Sequence, residues 1–167
     1  MKIVALWGKS NVGKTTTIKK LLVKVLDKYG NDCLRDPSHH ISRQSLTEEL
    51  QRERFAKPLN SRSPIRNVYT KVEIDGCLIG ITTAGDSKET LEEAFKTFGD
   101  CELCFCATHV RGDTVEYVKQ LAENDMLIWY GQCEVSSNGN YDLKERFQTV
   151  SDKVSDILFE ELQLQLS

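Results

Sequence analysis

Two glycines, a lysine and a threonine near the start of the chain have a spacing suited to binding phosphate. They lie in the run Gly8-Lys9-Ser10-Asn11-Val12-Gly13-Lys14-Thr15. Glycine lets backbone N–H groups approach an anion where a Cβ would clash, and lysine adds a positive charge. The spacing therefore predicts a loop around the β-phosphate of a nucleoside triphosphate, in which Lys14 spans the β- and γ-phosphates. The Thr15 hydroxyl would complete a Mg²⁺ shell.

The residues on either side predict the elements that would position such a loop. An apolar run over residues 3–7 predicts a buried strand, and apolar residues at helical spacing over 18–29 predict an amphipathic helix. The N-terminus of that helix would present unpaired N–H groups and a dipole that favours anions. The expected nucleotide-binding residues are Gly8, Lys9, Ser10, Asn11, Val12, Gly13, Lys14, Thr15 and Thr16.

Strand and helix patterns alternate along the rest of the chain. The order β-α-β-α-ββ-α-β-α-β-α predicts an α/β fold, a three-layer αβα sandwich with a mostly parallel sheet and one antiparallel hairpin strand at an edge. The hairpin joins residues 68–74 to 77–82 through Asp75-Gly76, a dipeptide typical of a type I′ turn. We expect residues 1–167 to form a single domain.

Polar residues mark where two of the helices should begin. Ser45 with Glu48 predicts a capping box, and Asp113 with Glu116 predicts an N-cap for a later helix. A polar, basic insertion is expected at about 38–66.

Charge and composition exclude several classes of protein. The 25 acidic and 22 basic residues give a net charge of −3, which makes a general electrostatic affinity for nucleic acid unlikely. No apolar run approaches the roughly 20 residues of a membrane span, and no signal peptide is apparent. The expectation is a cytoplasmic protein without a membrane partner.

Three cysteines with a nearby histidine raise the question of a zinc site. Cys104 and Cys106 lie inside an apolar run that predicts a buried strand, with Cys101 just before it and His109 just after it. Alternation along a strand predicts that the three thiols do not all converge, which favours buried core thiols over structural zinc.

The run from Gly8 to Thr15 resembles the nucleotide-binding motif of the P-loop NTPase superfamily, and the order of elements is compatible with that superfamily over the whole chain. Within it, the ParA- and MinD-like ATPases resemble this chain at Lys9, where they carry a signature lysine that reaches a nucleotide across a dimer interface. Asp36-Pro37 resembles their Asp-Pro after the second strand. Ser10 and Asn11 replace two of their glycines. This resemblance implies ATP and a homodimer.

Small GTPases are similar in the middle of the chain. Residues 11–14 match their NVGK sequence, and Thr82-Thr83-Ala84-Gly85 occupies the place of their DTAG. Thr82 stands where their aspartate organises Mg²⁺. Their base-reading NKxD is missing, since Gln132 and Glu134 are only loosely equivalent, so the sequence does not support GTP specificity.

Small-molecule and nucleotide kinases share the architecture and carry arginine-rich substrate segments. Residues 43–66 contain a similar excess of basic side chains, namely Arg43, Arg52, Arg54, Lys57, Arg62 and Arg66, against Glu48, Glu49 and Glu53. Such a segment could close on an anionic co-substrate. The alternative is a solvated insertion whose charges only maintain solubility.

Further site residues are expected where strands end, because ligands in open α/β sheets bind beyond the carboxyl ends of the strands. Asp86 is the first choice for the acidic group near Mg²⁺ or an attacking nucleophile, and the alternative is a helix N-cap. Asp36 is the second choice. Arg111 could stabilise charge on a γ-phosphate or simply be solvated, and His109 could be a general base or structural.

These expectations define one leading function and one alternative. The leading hypothesis is a Mg²⁺-dependent protein that binds ATP, or GTP, and hydrolyses it or transfers a phosphoryl group to a small anionic acceptor. Lys14, Asp86 and Arg111 would be catalytic, and Thr15 with Asp86 would bind the metal. The alternative is a nucleotide-dependent regulatory switch that acts through a protein partner or a homodimer.

Overall fold

The architecture is given by a computed structural model. It describes residues 1–9, 12–35, 41–55, 67–122, 126–132 and 143–167. The strands are β1 (Lys2–Trp7), β2 (Leu34–Arg35), β3 (Tyr69–Ile74), β4 (Cys77–Thr82), β5 (Leu103–Thr108) and β6 (Leu127–Gly131). The helices are α1 (Lys14–Tyr29), α2 (Arg43–Phe55), α3 (Lys88–Thr97), α4 (Asp113–Leu121) and α5 (Leu143–Leu166), with a 3₁₀ turn at Asn31–Cys33.

The described strands form one six-stranded sheet in the order β2-β3-β4-β5-β1-β6. All neighbours from β4 to β6 are parallel, and only β3 runs against both of its neighbours. This confirms the α/β fold with a mostly parallel sheet. The expectation that the antiparallel strand lies at an edge was wrong, because Leu34 and Arg35 pair outside it with Val72 and Lys71.

Alternation along β1 explains the three layers. Val4 and Leu6 point into a core that α1, α2 and α5 close on one face of the sheet. Ile3 and Ala5 point into a second core that α3 and α4 close on the other face. A strand that is buried on both faces is the reason for the nearly continuous apolar run in the sequence.

Ion pairs fix α1 between its neighbouring helices. Lys19 Nζ lies 2.7 Å from Glu49 Oε1 of α2, and the two side chains are only 1% and 4% exposed. On the other side, Lys20 and Lys24 pair with Asp152 and Asp156 of α5 at 2.7 and 2.6 Å. The start of α1 is therefore positioned by contacts along the length of the helix. Among the described residues, no helix combines the length and the apolar composition that crossing a membrane requires.

The hairpin turn was predicted correctly, whereas the two helix caps were not. Asp75 and Gly76 both have positive φ angles, 52° and 83°, as a type I′ turn requires, so that prediction is confirmed. The Ser45 capping box was wrong, because α2 begins earlier and the Ser42 and Ser45 side chains each accept a hydrogen bond from the other's backbone N–H. The Asp113 cap was also wrong, because Gly112 occupies the N-cap position.

The cysteines around β5 are core residues. Cys101, Cys104 and Cys106 are all buried in the core between the sheet and α3 and α4. The argument that alternation separates them was wrong, because Cys104 and Cys106 are two residues apart on the strand and share a face. Burial raises the pKa of the Cys106 thiol to about 12.

Candidate functional site

The connection between β1 and α1 (residues 8–13) lies at the carboxyl end of the sheet, and we call it the β1–α1 connection. Gly13 occupies the N-cap of α1 in the left-handed region, at φ 88°. Glycine has no side chain that could cap the helix, and the first turn of α1 contains no acidic residue. Neither the N-cap residue nor an acidic side chain of the first turn therefore offsets the first N–H groups of α1 and the positive end of its dipole. Ser10 and Asn11 lie outside the described residues.

Lys14 is the first residue of α1, and its side chain turns back over the connection. Its Nζ donates hydrogen bonds to the carbonyl oxygens of Gly8 at 2.9 Å and Lys9 at 2.7 Å. Only 7% of Lys14 is exposed. Burial lowers the pKa of Lys14, and the negative charge of Asp86 opposes that shift. Among the described residues, no carboxylate forms an ion pair with Lys14.

Asp86 follows β4, a strand that does not adjoin β1, yet its negative charge acts on the pKa of Lys14. The strand β4 is separated from β1 by β5. The chain crosses the end of β5 at Gly85, where a Cβ would lie 2.4 Å from the Ala107 carbonyl oxygen. Only glycine allows this close approach, and Asp86 is the next residue along the chain.

The carboxylate of Asp86 is not used to cap α3. Ser87 occupies the N-cap, and its side chain accepts a hydrogen bond from the Thr90 N–H at 3.3 Å. The alternative interpretation of Asp86 as the helix cap was therefore wrong. Asp86 is exposed, and its carbonyl oxygen lies 3.3 Å from His109 Nε2.

The hydroxyl of Thr82 makes a structural contact at the end of β4. Thr82 is fully buried, and its Oγ1 accepts a hydrogen bond from the Ala84 N–H at 3.0 Å. The next residue, Thr83, accepts from the Val68 N–H at 2.8 Å. Both hydroxyls shape the turn that leads to Gly85. Among the described residues, Asp86 is the acid whose negative charge raises the pKa of Lys14.

Gln132 is the residue whose role the sequence did not reveal. It directly follows β6, is 4% exposed, and donates from Nε2 to the Val12 carbonyl oxygen at 2.6 Å. Its Oε1 accepts from Thr17 Oγ1 at 2.8 Å, and its own N–H donates to the Trp7 carbonyl oxygen at 2.9 Å. Its carbonyl oxygen lies 2.8 Å from where a Cβ of Gly8 would be. Gln132 thus holds both ends of the β1–α1 connection.

The remaining expected site residues differ in how exposed they are. Thr15 and Thr16 are half-buried in the first turn of α1, His109 is half-buried beyond β5, and Arg111 is exposed. Asp36 and Glu134 lie outside the described residues.

The first half of the basic segment is the helix α2, which packs on α1 through the fully buried Leu46. Two of its arginines have acidic neighbours, since Arg43 pairs with Asp27 and Arg52 with Glu48. Residues 56–66 lie outside the described residues.

The donors present fit a Mg²⁺–triphosphate group. The buried Lys14 ammonium and the N-terminus of α1, whose N-cap is a glycine, suit anionic oxygen. The Thr15 hydroxyl, which forms no hydrogen bond to any residue in the described part of the chain, suits a hard cation. No cluster of three or more His, Cys, Asp or Glu side chains is arranged for a metal among the described residues. Mg²⁺ does not need one, because it binds through one or two protein oxygens plus substrate phosphates.

Comparison with protein-family models, with curated proteins and with solved structures finds no match for this chain.

Proposed function

We propose that this chain binds a nucleoside triphosphate with Mg²⁺, ATP being the expected nucleotide, and hydrolyses it or transfers its terminal phosphoryl group to a small acceptor. One observation carries the proposal. Lys14 is almost fully buried at the β1–α1 connection with two carbonyl oxygens and no ion-pair partner among the described residues. Buried charges are normally paired, so an anionic ligand is the natural partner for this ammonium.

In this proposal the surrounding residues would have the following roles. The N–H groups of the first turn of α1 would donate to the β-phosphate, and Lys14 would move from the Gly8 and Lys9 carbonyl oxygens to phosphate oxygens. Thr15 and Asp86 would hold Mg²⁺, which supplies charge neutralisation on the phosphates when bound. Arg111 would stabilise negative charge at the terminal phosphate.

The test is Mg-ATP calorimetry on Lys14→Ala. Because a charge-assisted hydrogen bond contributes about 1.5–3 kcal/mol, the affinity should fall by about one to two orders of magnitude. Lys96→Ala is the matched control, since Lys96 is an exposed lysine on α3, and it should bind as the unmodified chain does. Equal affinity in all three proteins would contradict the proposal, provided that circular dichroism shows an intact fold.

Limited proteolysis separates the kinase from the hydrolase form of this function. A kinase must position an acceptor and exclude water, which a closing basic segment would do. Protection of residues 43–66 only when ATP and an anionic acceptor are both present would favour a kinase. Protection by ATP alone would favour a hydrolase.

A nucleotide-dependent dimer is the second candidate. The side chain of Lys9 is exposed while its carbonyl oxygen accepts the hydrogen bond from Lys14, so the side chain is at the surface beside the connection. In a dimer of the ParA-like kind, Lys9 would reach the other subunit's nucleotide. Light scattering with a non-hydrolysable ATP analogue should then show dimers that Lys9→Ala abolishes while monomer binding survives. A single mass in both conditions would contradict the dimer.

A further inference from the structure

A pocket of about 360 Å³ lies beside the β1–α1 connection, on the α4 face of the sheet. It is lined by Trp7, His109, Val110, Val115, Lys119 and Trp129, and we call it the tryptophan pocket. The chain contains two tryptophans, and both line this pocket. Its volume lies within the roughly 300–1,000 Å³ typical of small-molecule sites.

The pocket combines aromatic faces with hydrogen-bond donors that have no partner among the described residues. Neither indole N–H of Trp7 or Trp129 donates a hydrogen bond to any residue that the structure describes, and Lys119 forms no ion pair within that part of the chain. Trp7 is 38% exposed, which is unusual for the last residue of a central strand whose other residues after Lys2 are at most 1% exposed. Exposed aromatic surface in a concave site is more often a contact surface than a packing defect.

The backbone around Trp7 leaves one side of its ring close to the neighbouring strand. A Cβ added to Gly131 would lie 3.4 Å from the Trp7 ring, an ordinary contact distance. The ring is therefore backed by β6 and presents its remaining surface to the pocket. A planar ring bound there would stack on indole, an interaction worth about 1–3 kcal/mol per ring.

The pocket also adjoins both parts of the candidate site. Trp7 immediately precedes Gly8, the first residue of the β1–α1 connection. His109 lies 3.3 Å, measured from Nε2, from the carbonyl oxygen of Asp86. A ligand in the pocket would therefore lie next to the connection and close to the backbone of Asp86.

We propose that the tryptophan pocket binds the planar aromatic ring of a small molecule, with the indole N–H groups and Lys119 contacting its polar or anionic substituents. The ring has two possible sources, the base of the nucleotide or a second small molecule. Only the first source rests on the proposed function, because a pocket that binds a separate ring does not require that a triphosphate binds.

Tryptophan fluorescence tests the proposal directly, because both reporters are in the pocket. We would titrate the chain, with Mg²⁺ present, with ATP, adenosine, inorganic tripolyphosphate, nicotinate and nicotinamide. Quenching by ATP and adenosine, but not by tripolyphosphate, identifies the nucleobase as the ring. Quenching by nicotinate in the presence of saturating tripolyphosphate identifies a separate aromatic molecule. Either result supports the proposal.

Variants show whether quenching comes from ring contact. Trp129→Leu keeps Trp7 as a reporter, Trp7→Leu keeps Trp129, and each should weaken ring binding by about 5- to 150-fold, the equivalent of one lost stacking contact. Trp7→Phe retains an aromatic face and should recover most of the affinity. Lys119→Ala should weaken nicotinate but not the neutral nicotinamide, with Lys96→Ala as the matched control.

Two outcomes would overturn the proposal. One is that none of the ring-containing probes quenches the fluorescence. The other is that tripolyphosphate quenches as strongly as ATP in the wild-type chain and in Trp129→Leu, which would mean that Trp7 reports only a change in the β1–α1 connection. Lys14→Ala distinguishes triphosphate binding at the β1–α1 connection from ring binding in the tryptophan pocket. If this variant loses tripolyphosphate binding while adenosine still quenches the fluorescence, the substitution affects the connection and leaves the pocket intact.

Discussion

Removing the Gln132 side chain tests whether the β1–α1 connection depends on a residue that follows β6. In Gln132→Ala, the Val12 carbonyl oxygen loses its donor at 2.6 Å, and Thr17 Oγ1 loses its acceptor at 2.8 Å. Thr17 has a substitute, because its Oγ1 also lies 3.1 Å from the Gly13 carbonyl oxygen. Val12 is 2% exposed, so its carbonyl oxygen is the group expected to stay without a partner.

The expected magnitude follows from that single orphaned group. A buried acceptor without a partner costs about 1–3 kcal/mol, so the free energy of unfolding should fall by about that amount. If the connection rearranges to relieve the cost, a triphosphate must restore its shape on binding. The affinity for Mg-ATP should then fall by up to about 5- to 150-fold, the same free energy expressed as a ratio.

The Gln132→Glu variant adds a test based on the pH dependence of stability. Its carboxylate keeps an acceptor for Thr17 but cannot donate to the Val12 carbonyl oxygen. At neutral pH, Gln132→Glu should therefore lower the free energy of unfolding more than Gln132→Ala does. A protonated carboxyl can donate. The difference in unfolding free energy between Gln132→Glu and the unmodified chain should therefore narrow as pH falls through the pKa of that carboxyl.

Urea unfolding and Mg-ATP calorimetry measure both effects. Gln44→Ala is the matched control, because Gln44 is exposed and donates only to Glu48 in the next turn at 3.0 Å. It should change stability by less than about 0.5 kcal/mol. If Gln132→Ala unfolds and binds as the control does, the connection is not held by this side chain and the argument is refuted.

Three further predictions concern the elements around this connection. Glu49→Ala should lower the free energy of unfolding by about 3–5 kcal/mol because it leaves the Lys19 ammonium buried without its carboxylate, and the double variant Lys19→Met/Glu49→Leu should recover much of the loss in urea unfolding. Gly85→Ala should destabilise by about 1–3 kcal/mol and weaken Mg-ATP binding, because its Cβ would meet a backbone oxygen at 2.4 Å; Gly99→Ala, with nothing within 4 Å, should do neither. Burial lowers the pKa of Lys14 below its ordinary 10.5, so the unfolded chain binds more protons than the folded chain at pH values below 10.5. The unfolding free energy of the unmodified chain, relative to that of Lys14→Met, should therefore rise as pH increases toward 10.5. A flat difference would contradict the burial of a charged Lys14.

The elements that the sequence predicted correctly are those with local causes. The strand β1 and the helix α1 follow from apolar residues at periods that only one kind of element matches. The hairpin turn follows from Asp75-Gly76, because both residues need positive φ and few others tolerate it. These signals lie within a few neighbouring residues, so no knowledge of the tertiary structure is needed to use them.

The errors arise where tertiary contacts or competing local signals decide. Gln132 and Val12 are 120 residues apart, and nothing around Gln132 in the sequence indicates a buried amide. Its position after β6 became informative only with the pairing of β6 to β1. Gly112 and Asp113 are both acceptable N-cap residues, and the sequence alone could not choose between them. The short second strand was expected from the order of elements and is present as β2, but its sequence does not show that it pairs with β3 and covers the edge of that strand.

The lysines of α1 differ in the partners of their ammonium groups. Each of the four other than Lys14 has a structural partner: Lys19 pairs with Glu49, Lys20 with Asp152, Lys24 with Asp156, and Lys28 lies over the rings of Tyr29 and Phe159. Lys14 is nearly as buried as Lys19, yet among the described residues only two carbonyl oxygens accept hydrogen bonds from its ammonium. The other four lysines of α1 have structural partners, whereas Lys14 lies at the N-terminus of the helix, where the first turn contains no acidic residue. If the role of Lys14 were only structural, methionine would replace it with no loss of ligand binding, so Mg-ATP calorimetry on Lys14→Met distinguishes a site for anions from a packing residue.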